Sequence, residues 1–162
     1  MNRLNGKVAV VTGGNAGIGE AIAKRFADEG ASVVVTGRRQ SELDRVVKIL
    51  QQSNGKVLAV AGSVTDEKHV QDVVRKTVDS FGRIDILVNN AGLGDFGKRL
   101  HETDDATWST VLDINLTCVF RMTRAIVPQM LKQGRGAIVN ISSVASLVGI
   151  PGLSAYTASK GG

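Results

Sequence analysis

The chain has 162 residues, 43% of them hydrophobic and 22% charged, with a net charge of +5, which suits one globular domain with a sizeable core. Its one cysteine, Cys118, excludes an internal disulfide or a cysteine-rich metal site, and no metal is expected. No signal-peptide pattern opens the chain and no apolar run could span a bilayer, so a cytoplasmic location without membrane partners is the default; the basic residues are spread over helices (Lys24, Arg25, Arg45, Lys48, Arg75 and Lys76 among them) and form no nucleic-acid stripe.

The first predicted element is a buried strand over 7–12, Lys7-Val8-Ala9-Val10-Val11. Thr12-Gly13-Gly14-Asn15-Ala16-Gly17-Ile18-Gly19 follows, then a helix over about 17–29 with Ile18, Ile22 and Phe26 at helical spacing. Strand, glycine turn and helix form the context that a dinucleotide fingerprint requires. Glycines let the backbone approach a pyrophosphate, and the helix N-terminus offers it unpaired N–H groups and partial positive charge.

A second strand over 32–36 runs into Thr36-Gly37-Arg38-Arg39, and a helix follows over 41–53. An acidic residue at the position of Gly37 would bind the adenosine-ribose hydroxyls of NAD and repel the 2′-phosphate of NADP. Here a glycine is followed by two arginines, and a guanidinium meets a phosphate with two parallel hydrogen bonds. The sequence therefore favours NADP(H) over NAD(H), with Arg38 as the contact. A third strand over 56–61 leads to Gly62-Ser63-Val64 and a helix over 66–81; a fourth over 84–88 leads to the turn Asn89-Asn90-Ala91-Gly92.

A long helix is predicted over 104–132. Asn115 lies inside it among Leu112, Leu116 and Val119, where asparagine competes for backbone hydrogen bonds and implies a kink or a bound water. The fifth strand, over 136–141, precedes Ser142-Ser143, and another helix begins near Ser154. It carries Tyr156 and Lys160, which share one helix face. An ammonium beside a phenol favours the phenolate, and such a tyrosine can move a proton to or from a substrate oxygen. Ser143 can hold that same oxygen by a hydrogen bond. His69 and His101 have no partners at ligand spacing and are expected to face solvent. Trp108 is expected to pack the start of the long helix, and Cys118 to be a small buried residue.

Strands alternating with helices imply a parallel sheet covered on both faces, a three-layer α/β/α arrangement. Right-handed crossovers bring all strand C-termini to one edge, so the glycine turn, Asn90, Ala91, Gly92 and Ser143 converge there.

These motifs, in this order, resemble the short-chain dehydrogenase/reductases of the classical type over about residue 4 to the end. The resemblance implies a Rossmann-type doubly wound parallel sheet, one NAD(P)-binding domain over 1–162, and hydride transfer between a nicotinamide and a carbonyl or secondary alcohol. Gly13, Asn15, Gly17, Ile18 and Gly19 would hold the pyrophosphate, and the backbone at Asn90, Ala91 and Gly92 the ribose. The family's aspartate near the adenine is Ser63 here, a weaker neutral acceptor, beside the backbone of Val64. Catalysis would fall to Asn115, Ser143, Tyr156 and Lys160: Ser143 steadies the substrate oxygen, Tyr156 gives the proton, Lys160 also holds the nicotinamide ribose, and Asn115 keeps a proton-relay water.

Family members continue past this chain's last residue. The sequence is therefore expected to be incomplete at its C-terminus, lacking the last strands and helices, with an exposed edge strand, a frayed Tyr156 helix and little turnover by itself. A homo-oligomer, dimer or tetramer, is expected through the two long helices. The small-molecule substrate would border residues 93–100 and 145–153; a 3-oxoacyl thioester, a sugar and a steroid or cyclic alcohol all remain open. The alternative is a short non-catalytic dinucleotide-binding module, to which Ser143, Tyr156 and Lys160 would be of no use.

Overall fold

The computed structural model describes residues 2–53, 55–95 and 97–162. Five strands, β1 (Val8–Thr12), β2 (Ser32–Gly37), β3 (Val57–Ala61), β4 (Ile86–Asn89) and β5 (Ala137–Asn140), form one sheet in the order β3-β2-β1-β4-β5. Every pairing is parallel. The order reverses between β1 and β4, and such a switch point opens a crevice at the carboxyl ends of the strands.

The intervening helices are α1 (Gly17–Asp28), α2 (Gln40–Leu50) and α3 (Glu67–Phe81); α4 (Asp105–Leu112) and α5 (Cys118–Lys132) lie between β4 and β5, and α6 (Ser154–Gly161) follows β5. Side chains alternate across each strand, and the two covering layers divide accordingly. Val10, Val34, Val60 and Leu87 pack with Val70 and Val73 of α3 and Met122 and Ile126 of α5. Val11, Val33, Val35 and Val88 pack on the other face with Ala23 and Ala27 of α1 and Leu43, Val46 and Leu50 of α2. The central strands thus read as unbroken apolar runs because both of their faces are buried. The edge strand β5 is exposed along its whole length. Among the described residues no helix is long and apolar enough to cross a membrane.

The helix expected over 104–132 is interrupted. Residues Asp113–Thr117 form a π-helical turn between α4 and α5, with the Cys118 N–H donating to the Asp113 carbonyl. The kink expected at Asn115 takes this form, a wider turn of the kind that recurs at functional sites. Trp108 is 37% exposed and only partly covered at the start of this helix. Cys118 is buried, its thiol donating to the Ile114 carbonyl, and burial pushes that thiol up to about 11.

At the opposite edge of the sheet, buried Asp85 ties the start of β1 to the approach to β4. It accepts from the Val8 N–H at 2.9 Å and from Arg83 through Nε at 2.8 Å and Nη2 at 2.6 Å. Burial pushes the carboxyl up, but the Arg83 guanidinium and the Val8 N–H outweigh it and hold the group below the usual carboxylate range. A lowered native pKa contributes stability above the unfolded value of about 4, and that contribution disappears as pH falls through the native value. Asp85→Ala should lose about 1–3 kcal/mol in urea unfolding at pH 7 and show a flatter loss of stability on acidification than the parent.

Candidate active site

The site begins where the ends of β1 and β4 meet. The Thr12 hydroxyl accepts from the N–H groups of Asn90 and Ala91, both at 3.0 Å, and donates to the Val88 carbonyl at 3.4 Å. The Asn90 amide returns hydrogen bonds to the carbonyls of Thr12 (3.0 Å) and Gly13 (3.3 Å). Two glycines make this approach possible. Gly13 has a φ of +63°, and a Cβ there would lie 3.0 Å from the Ala91 Cα; a Cβ on Gly19 would collide with the Asn90 amide and the Gly13 carbonyl. The glycine turn and Asn90, Ala91 and Gly92 are therefore one cradle. Arg45 of α2 steadies it, gripping Glu20 with both terminal nitrogens at 2.8 and 2.7 Å and reaching the Asn15 carbonyl at 3.4 Å.

An open cleft runs from this cradle over the carboxyl ends of β1, β2 and β3. Gly13, Asn15, Arg38, Ser63, Val64, Ala91 and Gly92 line it, and an adjoining hollow adds Ala16, Arg39 and Asn90. Gly17 and Ile18 are exposed at the first turn of α1. The N-cap of that helix, Ala16, has no side chain to accept from the first-turn amides, which leaves them available to an anion. Arg38 and Arg39 are exposed, and among the described residues neither has a carboxylate partner. The Ser63 hydroxyl is shared with that of Thr65 at 2.7 Å. A cradle of close-approach glycines, a free helix N-terminus and two unpaired guanidiniums fit an extended phosphate-bearing dinucleotide.

His69 departs from expectation. It is buried, with Nε2 2.7 Å from the Thr36 hydroxyl at the end of β2, and its ring occupies the space that a Cβ on Gly62 would need. The hydrophobic stripe of α3 runs through Val70 and Val73 and hides this position; only the glycine 62, stacked on the ring in three dimensions, explains it. His101, by contrast, is exposed.

The second half of the site lies on the π-helical turn before α5, on α6 and on the loop after β5. Asn115 is buried; its Oδ1 accepts from the Leu93 N–H at 2.7 Å, and its Nδ2 donates to the Leu93 carbonyl at 2.8 Å and to the Ser159 hydroxyl at 2.9 Å. Its amide is thus occupied in clamping residue 93. Lys160 Nζ donates to the Ile141 carbonyl at 2.7 Å and lies 5.7 Å from the centre of the Tyr156 ring. A Cβ on Gly92 would be 3.6 Å from that ammonium and 3.5 Å from Asn115 Oδ1, so α6 reaches the cradle itself. Ser143 Oγ accepts from the Ala145 N–H at 3.2 Å, whereas Ser142 Oγ is committed to the Lys160 carbonyl at 3.0 Å. Asn115 and Lys160 line a hollow beside the cradle together with Ala91, Ser142 and Ser159. Sequence reading named Thr12 only as the start of the glycine turn and gave no site role to Arg45, Asp95 or Ser159. Thr12 could have been found as the polar residue ending an apolar strand, and Asp95 as the one charge in Leu93-Gly94-Asp95-Phe96-Gly97.

A parallel sheet whose order reverses between β1 and β4, with a glycine cradle at that switch point, defines a fold of the Rossmann type. The chain belongs to the short-chain dehydrogenase family, whose family model matches residues 7–162. It is 44% identical over 162 residues to a 3-oxoacyl-acyl-carrier-protein reductase of Thermotoga maritima, covering 99% of this chain and 65% of that protein. A protein of the same name from Synechocystis is 42% identical, with 100% and 66% covered. Among solved structures, a NAD+-bound xylitol dehydrogenase superposes with a TM-score of 0.95 at 34% identity, covering 98% of this chain and 61% of that one. The chain thus spans just under two thirds of the length of these relatives.

Burial pushes the His69 imidazole below its usual value; Asp66 and Asp72 oppose this and Lys76 reinforces it. A histidine held neutral in the native state contributes stability above the unfolded value of about 6.5, and protonation on the acid side removes it. Unfolding free energy should therefore fall between pH 8 and pH 5, and His69→Gln should flatten that slope.

Proposed function

We propose that the protein is an NADP(H)-dependent oxidoreductase that interconverts a carbonyl and a secondary alcohol, with Tyr156 as the general acid/base. The observation that supports this reading is the approach to Gly92 of the Lys160 ammonium, which shares α6 with Tyr156 and lies 5.7 Å from the centre of its ring. Asn15, the first-turn amides of α1 and Arg38 would hold the phosphates, Ser63 and Val64 the adenine end, and Asn90, Ala91, Gly92 and Lys160 the ribose nearest the chemistry. When bound, the nicotinamide supplies or accepts the hydride.

The chain's own residues manage the proton and the charge. Ser143 Oγ donates a hydrogen bond to the substrate oxygen and stabilises the negative charge that develops there. Tyr156 Oη gives that oxygen its proton in reduction and removes it in oxidation. The Lys160 ammonium stands 5.7 Å from the centre of that ring. Asn115 acts from the π-turn by holding Leu93 and Ser159 in place, and the relay water assigned to it belongs to the same proposal. The preference for NADP(H) rests on Gly37 and on the two guanidiniums that have no carboxylate partner among the described residues.

A small-molecule substrate of the 3-oxoacyl thioester class is the first to try, given the relatives of that name. Self-association fits the exposed apolar residues Leu116, Phe120 and Leu131 on the long helical segment.

Tyr156→Phe should lower turnover by about 10²–10⁴-fold while leaving NADPH affinity, read by fluorescence titration, nearly unchanged. Substantial residual turnover would remove Tyr156 from this role. Arg38→Asp should reduce the preference for NADPH over NADH by roughly 1–3 kcal/mol, measured as the ratio of the two dissociation constants. An unchanged ratio would exclude Arg38 from the 2′-phosphate.

A further inference from the structure

The helix that carries Tyr156 has no cap of its own. Its N-cap residue, Leu153, offers no side-chain acceptor. The first intrahelical bond anchored there is made by Thr157, whose N–H donates to the Leu153 carbonyl at 2.8 Å. The amides of Ala155 and Tyr156 come before it and need acceptors from elsewhere. Both find one in the side chain of Asp95, sixty residues earlier in the chain: Ala155 N–H donates to Oδ2 at 2.9 Å and Tyr156 N–H to Oδ1 at 3.1 Å. Asp95 is 6% exposed. A buried carboxylate at a helix N-terminus also meets the positive end of the helix dipole.

The same short segment is held at both of its ends. Two residues before Asp95, Leu93 is clamped by both polar atoms of the Asn115 amide. Two residues after it, the Gly97 N–H donates to the Gly152 carbonyl at 3.2 Å, and Lys98 forms a parallel bridge with Leu153. On the far side of Tyr156, Ser159 Oγ donates to the Tyr156 carbonyl at 2.7 Å and accepts from Asn115 Nδ2 at 2.9 Å. The backbone of Tyr156 is therefore gripped at its N–H by Asp95 and at its carbonyl by Ser159, and both grips lead back to Asn115.

We infer that Asp95 is the positioning residue for the proton donor, a carboxylate that borrows the place of a helix cap and couples the substrate-side segment 93–98 to Tyr156. The inference rests on the reading of Tyr156 as general acid/base, but the anchoring of α6 by Asp95 can be measured apart from turnover. Asp95 should touch neither cofactor nor reacting atoms, so its loss should disturb the chemical step more than the binding of dinucleotide.

The test compares Asp95→Ala and Asp95→Asn in the protein as its source makes it. In Asp95→Ala, hydrogen exchange at the Ala155 and Tyr156 amides should quicken by about tenfold or more, while β1 and α3 exchange as in the parent. With acetoacetyl-coenzyme A as probe, kcat should fall by a similar factor, about tenfold, with KM for NADPH within about twofold. Asp95→Asn keeps one carboxamide oxygen as acceptor and should recover part of both losses; it also carries the test if the alanine variant does not fold. Unchanged exchange at Ala155 and Tyr156, or a rise shared equally by β1 and α3, would overturn the inference. So would normal exchange recovery in Asp95→Asn with a rise in KM for NADPH and an intact kcat. If Tyr156→Phe retains full turnover, the reading of Tyr156 fails, and the exchange data still decide whether Asp95 anchors the helix.

Discussion

One hydroxyl group holds the working edge of this molecule together. Thr12 ends β1, and its side chain accepts the N–H groups of Asn90 and Ala91 just past β4 while donating to Val88. These strands are paired up to Val11 and Val88 at the point where the sheet order reverses, and Thr12 extends that pairing into the turn that follows β4. The Thr12 side chain is fully buried. Removing it would leave two backbone donors short of an acceptor at a partly buried site, at a cost of about 1–3 kcal/mol each. Everything built on the cradle inherits this constraint: the close packing of Gly19 on Asn90, the position of Gly92 beside Lys160, and the register in which Asn89 meets Asn140 of β5 at 2.9 Å.

Charge is divided between the two edges of the sheet in a way that suits an anionic ligand. At the amino edge, buried acids are consumed by pairing. Asp85 is bound by Arg83 and the Val8 N–H, and Glu29, 3% exposed, by Arg3 and Arg25. At the carboxyl edge the cations are left over: Arg38 and Arg39 line the cleft unpaired among the described residues, the α1 N-terminus lacks a side-chain cap, and Lys160 bonds only a carbonyl. Arg38, Arg39 and the α1 N-terminus therefore leave a surplus of positive charge and open donors at this edge among the described residues.

The local parts of this site were legible because local chemistry produces them. The apolar runs of β1, β2 and β4, the glycine turn and the Arg38-Arg39 pair occupy the cleft edge that their spacing implied. Asn115 advertised itself as a misfit inside an apolar helix, and the structure answers with a π-turn. Its partner was invisible, since nothing in a helical window says that the amide will clamp Leu93, twenty-two residues earlier. His69 was misread for the same reason. A histidine flanked by charged residues at a helix start looks solvated, and only the stacking of α3 beneath Gly62 and Thr36 buries it.

The sequence by itself determined the alternation of strands and helices, the order of the motifs along the chain, and the residue types able to bind phosphate and move a proton. These follow from hydrophobic periodicity, backbone freedom at glycine and side-chain chemistry, all of which act within a few residues. Tertiary structure alone decided which of those residues meet. It set the strand order that brings residues 12 and 90 together, the pairing of Arg45 with Glu20, and the capture of the Tyr156 helix by Asp95. Such contacts join positions from twenty-five to seventy-eight residues apart. They are selected by how the layers close over a shared core, a cooperative outcome that no local window contains.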